Sequence, residues 1–370
     1  MNRAHEQRGE DWSARLIHVS GFTNALDPAI QDMVMPADIV HFQRNLVHEQ
    51  VLDAIRYWQG LGKIFTADLD DAYNRLPFSN PAFQFWQVNS SQLDPPPLVM
   101  LEKGLRLIGN LTAPNRYLLN DWAHACRGYY IPNYARSEWW VDDYDAMEAR
   151  RARGIDDKII IGWGGSVSHY DSWWGSGIRE AATRICARHA NVSWMICGND
   201  PRIYEQLPVP RDQKIAQPGV QPNDWPKIVR QFDIGVAPLF GPYDQRRSWI
   251  KGMEYQLAGI PWIGTRGEPY REMADSGILV DNGPEAWEDA LETVISQLHS
   301  RRTIASDRLE LARQHYLIDN NLDMYARTYR QIIDDTESSG ARLPGVFHID
   351  AREPATVPAA GEETVKEAVA

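Results

Sequence analysis

Three groups of residues have the types and spacing to do chemistry. Gly162-Trp163-Gly164-Gly165-Ser166 follows directly on the apolar run KIIIG and shortly precedes a helical pattern. Glycines there let backbone N–H groups approach a phosphate, and the start of a helix favours negative charge. The same glycines also suit a plain strand-to-helix turn, where backbone freedom alone selects them. His169, four residues beyond Gly165, can face the same ligand or be a satisfied structural histidine. In the second group, if 248–258 is a helix, Ser248, Lys251 and Glu254 recur at i, i+3 and i+6 on roughly one face. A cation beside a helix N-terminus suits a diphosphate, and a carboxylate two turns in can accept hydrogen bonds from ribose hydroxyls. A Lys/Glu pair on a solvated face has the same spacing. The third group, Asp68-Leu69-Asp70-Asp71, ends an apolar run. Carboxylates at a strand's C-terminal edge can hold a divalent cation, orient hydroxyls or act as a base, and Asp is also a common helix cap.

Other chemistries are absent by pattern. His41 and His48 are seven residues apart and make no metal-binding spacing. The three cysteines, Cys126, Cys186 and Cys197, form neither a CxxC pair nor a disulfide framework, which fits a reducing compartment. No G-x-S-x-G elbow and no G-x-x-x-x-G-K-[ST] loop occurs. Trp139-Trp140 and Trp173-Trp174 can stack on sugar rings or simply pack a core.

The elements that must position these groups are strands alternating with helices. Candidate strands in the first half are 15–20 (RLIHVS), 37–44, 62–68 and 105–112, with a helix carrying Val51, Leu52, Ile55 and Trp58 on one face. In the second half the candidate strands are 158–163, 192–198, 233–239, 259–265 and 278–282. Helices follow around Ile178–Ile185, at 248–258 and around Trp287–Leu298. Such alternation predicts parallel sheets covered on both faces, so the expected fold class is α/β with two Rossmann-like doubly wound domains facing each other across a cleft. The expected division is a tail at 1–14, a first domain at 15–150, a second at 151–320, a helix at 321–337 returning toward the first domain, and a disordered tail at 338–370. The charged run Asp142–Asp157 has little apolar periodicity and is the expected linker.

Composition agrees with this picture. At 370 residues the chain has length for two domains, and 43% hydrophobic with 24% charged residues is ordinary globular material. No stretch approaches the roughly 18–20 uninterrupted apolar residues of a membrane span, and the polar N-terminus lacks a secretory signal. The chain is therefore expected in the cytoplasm, with peripheral attachment to a membrane left open. A net charge of −12 argues against extended nucleic-acid binding while leaving room for a local basic pocket.

Taken in order, several segments resemble the donor half of group-1 (GT4-like, retaining) glycosyltransferases of the GT-B fold. These are GWGGSVSHYD, the strand ending in CGND, DIGVAPL, and SWIKGMEYQLAGIPWIGT followed by PYREM. The K-x-x-E-Y-x-x-x-G-x-P segment is the most specific. In the first half, Gln43-Arg44, the Asp68–Asp71 cluster, TAPNRYLLNDW and YYIPNYARSEWW echo one branch of these enzymes. The resemblance covers about 15–335. It implies transfer of a sugar from a nucleotide-diphosphate sugar to a hydroxyl of a carbohydrate or other acceptor, with retention and without an essential metal. In that picture Gly164, Gly165, Ser166, Asn199, Ser248 and Glu254 bind the donor. Lys251 and Arg247 stabilise the leaving diphosphate, His169 contacts donor sugar or phosphate, and Arg44, Asp68, Asp70 and Asp71 lie on the acceptor side. The chain departs from the family in two places. Arg246 stands where the first of two glutamates is usual, and SHYDSWW lacks the usual phosphate-binding cation. A binding protein without turnover and a two-Rossmann nucleotide-sugar epimerase are the alternatives on this architecture.

Overall fold

The computed structural model describes residues 12–88, 95–140, 144–339 and 347–348. Two parallel sheets carry the chain. The first has β1 (Ile39–Gln43), β2 (Ile64–Asp68), β3 (Asn110–Ala113) and β4 (Arg127–Tyr130) side by side, with β11 (Phe347–His348) at the edge. The second contains β5 (Ile159–Gly164), β6 (Val192–Cys197), β7 (Lys214–Gln217), β8 (Ile234–Ala237), β9 (Trp262–Thr265) and β10 (Ile278–Val280), in spatial order β10-β9-β8-β5-β6-β7. Each pairing is parallel, and the central strands of the second sheet, β5, β6, β8 and β9, are buried along nearly their whole length. Along β5 the side chains alternate between two cores. Ile160 joins a cluster with Met195, Phe232 and Tyr255, while Ile161 and Trp163 join one with Trp173, Trp194 and Trp287. The expected pair of Rossmann-like domains is thus the fold observed.

Local chemistry sets several boundaries differently from the sequence expectation. Residues 15–20 are not a strand. The chain there is irregular until a short helix at Val19–Phe22, and Leu16 is 96% exposed. Leu105–Ile108 closes a helix, Pro97–Ile108, whose Met100, Leu101, Leu105 and Ile108 are buried at helical spacing. Gly109, at φ 78, ends it before β3 starts. The charged linker holds a helix, Ala146–Ala152, capped by Asp145 and anchored by buried Arg150, which donates to Asp233 at 2.9 Å. The helix expected at 248–258 runs Ile250–Leu257, so Ser248 precedes it.

The helix Leu322–Ser339 lies against the first sheet. Asn110 Nδ2 donates to Thr336 Oγ1 at 3.2 Å, and the Tyr129 hydroxyl donates to Asp335 at 3.0 Å. Within the 338–370 segment expected to be disordered, β11 pairs with β4, because a short run containing an apolar residue meets an open sheet edge. The rest of that segment beyond residue 339, and residues 1–11 of the expected N-terminal tail, lie outside the described residues.

Candidate functional site

In the second sheet the strand order reverses at β5, which has β6 on one side and β8 on the other. Crevices outside the carboxyl ends of strands at such a reversal are where open α/β sheets bind ligands. A cavity of about 630 Å³ opens there, and Gly164, Gly165, Lys251 and Glu254 share its wall. Four of the residues singled out from the sequence therefore converge on one space.

Lys251, in the first turn of its helix, donates from Nζ to the Gly164 carbonyl at 2.5 Å and sits 5.1 Å from the centre of the Trp163 ring. Burial pulls its ammonium below the usual lysine range, and the nearby Glu254 carboxylate pulls the other way. Burial pushes Glu254 above the usual carboxylate range, opposed by a hydrogen bond from the Trp225 side chain and by Lys251. Both charges are held where an anionic, hydroxyl-rich ligand would complete them.

Arg247 is fixed at both ends of its guanidinium. Nε donates to Asp244 at 2.8 Å, and Nη2 donates to the Ser168 carbonyl and hydroxyl at 2.9 and 3.0 Å. Asp244 is itself buried, accepting from Ser172 Oγ at 2.5 Å and from the Phe240 N–H at 2.7 Å. The turn beyond the glycine loop carries no Lys or Arg of its own, and this segment brings one to it.

His169 is only 8% exposed, and its Nδ1 has no hydrogen-bond partner. Burial, Arg247 and Lys251 all lower its pKa, so the imidazole is neutral at pH 7. Its ring meets Trp163 edge-on at 5.7 Å. Ser166 is exposed and caps the turn Val167–His169 through Ser168 N. Asn199 accepts from the Gly219 N–H at 3.0 Å, tying together the loops after β6 and β7.

Arg44, Asp68, Asp70 and Asp71, expected on the acceptor side, do not share one set of partners. Asp68, at the end of β2, accepts from Thr112 Oγ1 at 2.8 Å, and burial pushes its carboxyl up to about 6. Arg44 adopts φ 51, unusual for a residue with a side chain, and donates to the Tyr73 hydroxyl at 3.1 Å, which donates in turn to Asp70 at 3.3 Å. Asp71 instead accepts from the Tyr243 hydroxyl of the second domain at 2.7 Å. Among the described residues no group of three or more His, Cys, Asp or Glu side chains is placed to hold a metal ion. No helix among them is long and apolar enough to cross a membrane.

Tyr243 also lies under the Arg247 guanidinium, 4.6 Å from its ring centre. A continuous path therefore runs from Asp71 through Tyr243 and Arg247 to the turn after the glycine loop. Arg246, the departure noted from the sequence, makes a two-pronged ion pair with Asp121 of the first domain at 2.5 and 2.8 Å. Asn115 Nδ2 donates to the carbonyls of Gln245 and Arg247 while its Oδ1 caps the helix Arg116–Asp121. Sequence reasoning missed Tyr243, Asp244, Ser168, Trp225, Asn115 and Asp121. GPYDQRRSW gives a hint of its role in its dense charges, but Asp71, Ser172 and Asp121, which Tyr243, Asp244 and Arg246 meet, lie more than 70 residues away in sequence.

No protein-family model matches the chain. Over 137 residues the chain is 30% identical to the D-inositol 3-phosphate glycosyltransferase of Corynebacterium glutamicum (strain R), an alignment covering 33% of this chain and 32% of that protein. The chain thus spans about a third of the length of this curated relative. Among solved structures, HepE of Anabaena in complex with UDP and glucose superposes with a TM-score of 0.59 at 14% identity, covering 91% of this chain and 89% of that one. Sucrose-phosphate synthase from Thermosynechococcus elongatus gives 0.56 at 14% identity over 86% and 78% of the two chains. The UDP-forming α,α-trehalose-phosphate synthase from Burkholderia xenovorans gives 0.55 at 14% over 88% and 81%. These likenesses show the fold, the GT-B arrangement of two Rossmann-like domains.

Proposed function

We propose that this chain is a glycosyltransferase that moves a sugar from a uridine-diphosphate sugar to an acceptor hydroxyl. The observation that carries the proposal is the meeting of Gly164, Gly165, Lys251 and Glu254 in one cavity at the strand-order reversal. Support comes also from the glycosyltransferase that the chain resembles over a third of its length, and from the UDP named with its structural neighbours.

In this function the donor diphosphate lies against the backbone of Gly164 and Gly165. Lys251 neutralises charge that develops on the leaving diphosphate, and Arg247 steadies the turn that carries the loop. Fixed cations in a partly dry site stabilise such charge more than water does. Glu254 accepts hydrogen bonds from the ribose. His169, neutral and buried beside Gly165 and Trp163, backs the glycine loop, and its Nδ1 meets donor sugar or phosphate once the loop shifts on binding. The acceptor hydroxyl comes from the first domain, near Asp70, Asp71 and Arg44. Transfer proceeds with retention, a donor phosphate oxygen taking the acceptor's proton, and the protein's cations serve where a divalent metal otherwise would.

A thermal-shift panel tests this. Purified protein is heated with UDP, GDP, ADP, CMP and TDP, with Mg²⁺ or with EDTA, and so are Lys251→Ala and Glu254→Gln. A ligand at 100 times its Kd adds about 2.7 kcal/mol of stability, so UDP should raise the melting temperature, in EDTA as well, and less so in both variants. If no nucleotide shifts the wild type, the donor site is wrongly placed. A UDP shift without sugar transfer across a broad acceptor panel would make the chain a binding protein.

A further inference from the structure

The cavity that holds Lys251 and Glu254 has a second wall that the proposed function leaves unused, the segment 133–140 that crosses from the first domain to the second. We propose that Trp139 in this crossing segment is the stacking platform for the donor's nucleobase, which makes it a specificity-determining residue. The inference rests on the donor assignment above and extends it.

The glycine loop with Lys251 and the carboxylate of Glu254 suit the diphosphate and the ribose. The base is the part of a nucleotide that then remains, and it needs a flat apolar surface. Four aromatic side chains line the cavity, and three are already committed. Trp225 packs so closely on the glycine loop that a Cβ at Gly164 would lie 2.1 Å from its ring, and its side chain bonds to Glu254. Trp140 is buried to 6% exposure. Tyr134 is wedged edge-on between Trp249 at 6.2 Å and Tyr325 at 6.0 Å.

Trp139 is only half-buried. The Arg136 guanidinium lies 4.9 Å from its ring centre, and among the described residues Arg136 is otherwise paired only at 3.6 Å with Glu138, both side chains more than 60% exposed. An ion pair that open to solvent contributes little. A loosely held planar cation therefore covers an aromatic face inside a nucleotide-sized cavity, and a planar base takes that face in its place. Because the platform belongs to the crossing segment, the base would sense how the two domains are joined.

The test is titration calorimetry of wild type, Trp139→Ala, Trp139→Phe and Arg136→Ala with UDP and with inorganic pyrophosphate. Stacking of a base on an aromatic side chain is lost on alanine substitution with roughly a tenfold or greater fall in affinity. Trp139→Ala should show that loss for UDP, keep the wild-type affinity for pyrophosphate, and be rescued by Trp139→Phe. Arg136→Ala should bind UDP no more weakly than wild type. Equal losses for UDP and pyrophosphate would mean that the wall has only collapsed, and unchanged UDP binding would also overturn the proposal. A tenfold loss in Arg136→Ala would reassign the contact to the guanidinium. If wild type binds no nucleoside diphosphate at all, the donor assignment itself falls, an outcome distinct from a silent Trp139→Ala.

Discussion

Asp68 holds its proton more tightly than a free carboxylic acid because it is buried at the end of β2, with Thr112 offering one hydrogen bond and Asp70 adding repulsion. Its carboxyl titrates near 6 in the folded chain against about 3.9 in an unfolded one. The folded state therefore binds the extra proton between those values, so this group's penalty is absent below about pH 4 and complete above about pH 6–7. The two-unit gap bounds the penalty at about 3 kcal/mol. In Asp68→Asn the amide oxygen still accepts from Thr112 and no charge is buried. The variant should melt above wild type at pH 7.5, with the difference shrinking toward zero as pH falls from 6 to 4. Melting curves across that range decide it, and a difference independent of pH would show that Asp68 is not the titrating group. The sequence groups Asp68, Asp70 and Asp71 at one strand end, and in the fold each carboxylate has its own partner, Thr112, Tyr73 or Tyr243. Spacing within four residues does not reveal which way each side chain turns at a strand end.

At the scale of elements, β5 shows why glycine recurs where it does. Gly162 and Gly164 are two apart, hence on one face of the strand. A Cβ at Gly162 would lie 2.1 Å from Phe232, and one at Gly164 would lie 2.1 Å from Trp225. The sequence offers phosphate approach or a plain strand-to-helix turn as reasons for these glycines, and ring packing is a further one. Either alanine overpacks a filled core, which costs about 1–3 kcal/mol or more. The two should differ in function, because only Gly164 borders the cavity. Gly162→Ala should lower the denaturation midpoint and bind UDP normally, whereas Gly164→Ala should lose both stability and UDP affinity as Trp225 is driven toward Glu254. Urea unfolding with UDP titration of the folded variants measures both, and normal UDP affinity in Gly164→Ala would show that Trp225 can move elsewhere. The strands of the second domain were legible because parallel strands buried on both faces read as unbroken apolar runs, as IIIGW and VSWMIC do. β4 and β7 were missed. RGYY and KIAQ are four residues each and carry a charge or amide inside the strand, so their identity comes from their neighbours rather than their pattern.

At the scale of the whole molecule, the departure at Arg246 acquires a role. Asp121 is almost fully buried and meets Arg246, Asn74 and Arg75, so the first and second domains share a charge that neither can leave unpaired. The Tyr243–Asp71 and Asn115 contacts lie on the same seam. A glutamate at position 246 would face Asp121 with like charge and force the seam apart. The usual carboxylate is thus incompatible with this closed arrangement, and a cation there favours it. Truncating one partner of a buried ion pair leaves the other uncompensated, typically at about 3–5 kcal/mol, lessened here by the remaining Asn74 and Arg75. Arg246→Ala should therefore shift the two domains toward an open cleft, seen as a larger radius of gyration in solution scattering. Pyrophosphate affinity should stay near wild type, because the residues proposed to hold the diphosphate, Gly164, Gly165 and Lys251, all belong to the second domain. On the proposed function transfer should fall too, since an acceptor held by the first domain would meet the donor only across the seam. Asp121→Asn with Arg246→Ala removes both charges and should recover stability without recovering closure. An unchanged scattering curve for Arg246→Ala would mean that Asn115 and Tyr243 hold the seam alone, and Arg246 would then be a replacement without a structural consequence.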